Sequence, residues 1–124
     1  MLQTNGYMAA TRSTGMPRDI EYQLFCKVTG SLNKAASATP LDFPALAAAL
    51  NETLVLWRTI ALDIVDNDNG LPNQLRAQLF YLYEFTQAQT GKILRGESEV
   101  SALIDVNTSI IRGLRQNRNL EGAN

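Results

Sequence analysis

Between Pro44 and Val65 the chain carries apolar side chains on more than one side of a helix. Leu46, Leu50, Leu54, Trp57, Ala61 and Ile64 recur at steps of three and four, the spacing of one helical face. Val55 and Leu62, seven apart, fall on a different side, and Leu56 on a third. A helix of this kind sits at the centre of a fold or touches a partner as well as its own neighbours. Asp42 is placed to cap it, Pro44 to open it, and the run Asp66 to Gly70 to end it.

Three further segments have the same period. The first spans 17–36, where Pro17 opens the turn and Asp19 and Glu21 suit the positive end of the helix dipole. Its apolar line is Ile20, Leu24, Val28 and Leu32, with Phe25 beside it and Cys26 on the polar side. The third spans 72–94, with Leu71, Leu75, Leu79, Leu82 and Ile93 as its stripe and Tyr81 and Phe85 flanking it. Phe80, Tyr83 and Leu94 fall opposite, near Arg76. The fourth spans 98–118 with Ser98 as its cap and Val100, Leu103, Ile104, Ile110, Ile111 and Leu114 as its stripe. No segment alternates with period two for long. The expectation is an all-α fold: a compact bundle of about four antiparallel helices over 17–118. Residues 1–16 are expected to be a mobile segment and 119–124 a frayed tail.

Composition narrows the chemistry. With 45% hydrophobic and 19% charged residues, a chain of 124 residues can build a packed core. A net charge of -1 gives no general pull towards nucleic acid. There is no histidine, which removes His-based triads and His metal sites. Cys26 is the single cysteine, so an intrachain disulfide is impossible and a zinc cage has no ligands. Asp63, Asp66 and Asp68 hint at a calcium loop but lack its terminal Glu. Glu97 and Glu99 face different ways and suit a helix start better than acid–base work. No catalytic residue, metal site or cofactor is expected. Nothing reads as a signal peptide or a membrane span, so the expected location is the cytoplasm.

Two polar residues interrupt apolar stripes. Asn107 lies between Leu103 and Ile110, where a buried amide would fix register or meet a partner's backbone. Glu21 lies among Ile20, Leu24 and Phe25, with Arg76 as the first candidate to pair with it. The surplus side chains Val55, Leu62, Phe80, Tyr83 and Leu94, with Arg76, form either further core or a groove for a partner helix.

The order of marks is itself informative. Gly6-Tyr7 is followed by Pro17-Arg18-Asp19-Ile20-Glu21, then Leu50-Asn51 with Leu54 and Leu56-Trp57. Leu71-Pro72 precedes Leu75-Arg76-Ala77-Gln78-Leu79, and Leu103-Ile104-Asp105-Val106-Asn107 leads to Ile110 and Gly113-Leu114. Over about 6–115 this resembles FlaF, the flagellar biosynthesis regulators of alphaproteobacteria. Val106 departs from the more usual isoleucine. The resemblance implies a cytoplasmic helical protein that binds flagellin subunits through their helical terminal region, as a secretion chaperone. It also implies an indirect opposition to FlbT, a regulator that restrains flagellin messenger translation. The family's marks fall on Arg18, Glu21, Asn51, Trp57, Arg76, Asp105 and Asn107. Two other readings stay open. One is direct contact with flagellin messenger RNA through Arg112, Arg115 and Arg118, disfavoured by the near-neutral charge. The other is a homodimeric helical adaptor.

Overall fold

A computed structural model describes the backbone of residues 18–66 and 72–122, with side chains from 21–66 and 72–115. The expected mobile segment 1–16 lies outside the described residues. Four helices follow one another: α1 (Arg18–Ser37), α2 (Phe43–Ile64), α3 (Asn73–Leu94) and α4 (Ser101–Gly122). Among the described residues no strand occurs, and the all-α expectation holds. Helix α1 packs on α2 and α4, α2 packs also on α3, and α3 meets α4 only slightly.

Local chemistry sets the helix ends. The Asp42 carboxylate accepts from the Ala45 N–H at 3.1 Å, and Pro44 occupies the first turn of α2. At the end of α3, Gly96 takes φ 76°. Its N–H donates to the Ile93 carbonyl, and the Glu97 N–H donates to that of Lys92. This pair of bonds satisfies the last carbonyls and needs a left-handed residue, which glycine supplies without strain. Helix α4 starts three residues after the expected Ser98. The Ser98 hydroxyl accepts from the Gln89 side-chain amide of α3, and the Val100 carbonyl accepts the first turn instead. At its other end α4 continues to Gly122, past the expected limit at 118. No proline or glycine lies between Gly113 and Gly122 to stop the ladder.

The interior has two apolar clusters. One gathers Phe25, Val28, Leu56, Trp57, Ile60, Ile64, Leu79, Ile111 and Leu114. The other gathers Leu32, Ala35, Leu46, Ala49, Leu50, Ile93, Val100 and Leu103. Along each helix a polar residue separates the two: Thr29, Thr53, Thr86 with Thr90, and Asn107. The hydroxyls of Thr53, Thr86 and Thr90 donate to carbonyls four residues earlier, so they enter the core with their bonding made. Trp57 stacks edge-on against Phe25 with centroids 5.7 Å apart, and its indole N–H donates to the Asn107 side-chain oxygen at 2.9 Å. Asn107 thus joins α4 to α2 across the bundle.

Several sequence assignments shift. The buried line of α1 is Glu21, Phe25, Val28, Leu32 and Ala35, and Leu24 is only half-buried. Cys26, expected on the polar side, is half-buried and packs against the first cluster. On α3 the buried residues are Leu79, Thr86, Thr90 and Ile93, so Phe80 and Tyr83 pack against the core while Tyr81 is exposed. The true stripe runs through two threonines, and reading only apolar letters rotates it.

Trp57 is the sole tryptophan and reports on this core. Asn107→Ala leaves its indole N–H without a buried acceptor and is expected to lower stability by about 1–3 kcal/mol. Urea unfolding followed by Trp57 fluorescence measures it; an unchanged midpoint contradicts the assignment.

Candidate functional site

Helix α2 is apolar enough and long enough, by composition alone, to cross a membrane, although the sequence reading found no such span. Its packing gives it another role. Leu46, Ala49, Leu50, Thr53, Leu56, Trp57, Ile60, Ala61 and Ile64 are buried against neighbouring helices. Its outer face is mixed, with Asn51, Glu52, Arg58 and Thr59 exposed beside large apolar side chains. Val55 is 45% exposed, Leu62 69% and Val65 55%. Val55 and Leu62 stand two helical turns apart on one ridge.

That ridge has a furrow on one side. Leu24, Lys27 and Val28 of α1 and Asn51, Glu52, Val55, Leu56 and Thr59 of α2 line a volume of about 360 Å³. A second stretch of about 400 Å³ shares Glu52 and runs on over Ala35, Ala45, Ala48 and Ala49 to Asp42, with Lys34 on the α1 side. On the other side lies a cleft of about 320 Å³ between α2 and α3, lined by Ile64, Val65, Asn73, Arg76, Ala77 and Phe80. Phe80 is half-buried there, and behind it the half-buried ring of Tyr83 lies 5.6 Å from that of Phe80.

Arg76 organises this cleft. Its Nε donates to the Ile64 carbonyl at 2.9 Å, tying the start of α3 to the end of α2. Its Nη1 also reaches the Asn73 side-chain oxygen at 3.5 Å. Nearby, burial pushes the Asp63 carboxyl up, and the charge of Asp66 adds to it. The folded state therefore holds that proton more firmly than the unfolded chain does. The ionised form costs stability, and the cost fades as pH falls through the carboxylate range.

The six side chains expected to form a groove divide into three places. Val55 and Leu62 lie on the α2 ridge, and Arg76 and Phe80 lie at the α2–α3 cleft with Tyr83 against the Phe80 ring. Leu94 is 40% exposed at the far end of α3, eighteen residues and about 27 Å from Arg76. Of the motif positions, Glu21, Trp57 and Asn107 are buried, Asn51 is exposed at the furrow, and Asp105 is exposed on α4. The Arg18 side chain lies outside the described residues. So does that of Arg118, while Arg112 is exposed and Arg115 is hydrogen-bonded to Tyr22 of α1. Lys27, Glu52 and Val65 were not singled out from sequence. Only the pairing of α1 with α2 gives Lys27 and Glu52 a common surface, and only that of α2 with α3 places Val65 beside Arg76 and Phe80.

The sequence pattern of the flagellar protein FlaF matches residues 3–114. The chain belongs to the FlaF family. This covers nearly the whole chain and supports a flagellar role. Among curated proteins and among solved structures, none matches.

The Arg76 contact can be tested by stability alone. Arg76→Ala removes a charge-assisted bond to a helix-end carbonyl and is expected to cost about 1.5–3 kcal/mol. Thermal unfolding by circular dichroism measures it, and a loss below about 0.5 kcal/mol contradicts the tie.

Proposed function

We propose that this protein is a flagellin-binding secretion chaperone that also regulates flagellin synthesis and flagellum assembly, acting in the cytoplasm without catalysis. The observation that carries the reading is the exposed apolar ridge of α2. A helix whose inner face already fills a core keeps Leu62 more than two-thirds exposed, in a chain of a flagellar family. Three large apolar side chains exposed along one core helix, with Arg58 and Thr59 between them, make an amphipathic face suited to a partner helix. The guest is a helical terminal segment of flagellin, laid along the ridge in the helix-in-groove manner. Val55 and Leu62 supply apolar contact, Phe80 and Tyr83 extend it across the cleft, and Arg76 and Asn51 stand beside it as polar anchors. Leu94, at the far end of α3, stands apart from this contact. Covering the guest's sticky face before export prevents premature assembly. Clearing free flagellin would oppose FlbT without direct contact.

Ordering a mobile guest offsets part of the contact energy, so binding is moderate and reversible. Leu62→Ser tests the ridge cleanly, because Leu62 is exposed and its loss leaves the core intact. Phe80→Ser would also disturb packing. Retention of flagellin from the same organism on immobilised Leu62→Ser protein is expected to fall at least about fivefold, with helical content unchanged. Loss of about 1 kcal/mol of apolar contact corresponds to that change. Undiminished retention contradicts the placement, and no retention by the wild-type chain contradicts the function.

A further inference from the structure

The furrow between α1 and α2 has walls of opposite charge. Lys27 and Lys34 stand on the α1 side, and Asp42 and Glu52 on the α2 side. Lys27 and Glu52 line the same stretch, and Lys34 and Asp42 line the other. Among the described residues, Lys27, Lys34 and Glu52 make no ion pair within 4 Å, so these charges flank an apolar floor without neutralising one another. The floor is Leu24, Val28, Val55 and Leu56, continued by alanines.

We propose that this furrow is a self-docking surface, covered by a second copy of the chain related by a two-fold axis running along it. The geometry selects this occupant. A half-turn about a line along the furrow sets the second copy's α1 over the first copy's α2 at the same level. Each Lys27 then faces the other copy's Glu52, and each Lys34 the other copy's Asp42, so one surface complements itself twice over. A half-turn across the furrow would set lysine wall on lysine wall. The exposed Val55 of each copy enters the apolar stretch of the other. The pairing covers Val55 and Asn51, so a guest helix competes with the second copy there, and it leaves Leu62 and the cleft of Arg76 and Phe80 clear. It does not depend on the flagellin reading.

The test is the solution mass of the full chain by light scattering over a micromolar-to-submillimolar series, with two exposed single variants. Lys27→Glu makes both walls acidic at that level, and Glu52→Lys makes both basic. The wild type is expected to dimerise with rising concentration, less readily as salt rises. Each variant alone is expected to dimerise at least about tenfold more weakly, since two attractive pairs become repulsive. An equimolar mixture of the two restores dimerisation to within about threefold of wild type, because each acidic wall then meets a basic one. A wild type that stays monomeric throughout overturns the proposal. So do variants that dimerise as the wild type does, and so does a mixture no better than its components.

Discussion

The molecule depends on one helix having more apolar surface than the other described helices cover. Helix α2 touches α1 on one flank and α3 on the other, and it contributes nine buried residues to the interior. Burying such a face drives the bundle together, at roughly 25 cal/mol for each Å² taken from water. The price is a second face, with Val55, Leu62 and Val65 left in solvent. A lone exposed leucine needs no explanation, but a ridge beside two recesses on the most apolar helix does.

The interior is not uniformly greasy. A polar waist crosses all four helices between the two apolar clusters, and most of its groups are bonded locally through threonine hydroxyls to their own helix. The Thr29 hydroxyl makes no such bond, and the bond that joins helices in the waist runs from Trp57 to Asn107, fifty residues apart. A bond of that reach penalises any sliding of α4 against α2, because a shift of one residue would bury the indole N–H without an acceptor. The slight contact between α3 and α4 is then tolerable, since α4 is held by α1 and by this bond.

Much of this was legible in the sequence, for reasons that can be stated. Proline and glycine marks delimit the four helices within a few residues, and the period of leucines on α2 finds most of its inner face and the outward Val55 and Leu62. Leu54 of the expected stripe is only half-buried, however, and Leu56, expected on a third side, is buried in the core. Asn107 announces itself as a polar letter in an apolar line. The α3 face was misread because Thr86 and Thr90, which bond to their own backbone, belong to the core despite their hydroxyls. Ser98 looked like a cap because its competing partner, Gln89, comes from another helix. The furrow was illegible for the same reason. Lys27 and Glu52 acquire meaning only when α1 and α2 lie side by side, and no single helix carries that fact.

The chain belongs to a flagellar family and leaves apolar side chains of α2 in solvent, and on these two observations rests the proposal that it shields flagellin before export. A photo-activatable residue placed at Leu62, compared with one at Asp105 on the exposed side of α4, asks directly which surface meets the guest. The account predicts covalent capture of flagellin from position 62 and little from position 105. Equal capture from both, or capture from 105 alone, would contradict it.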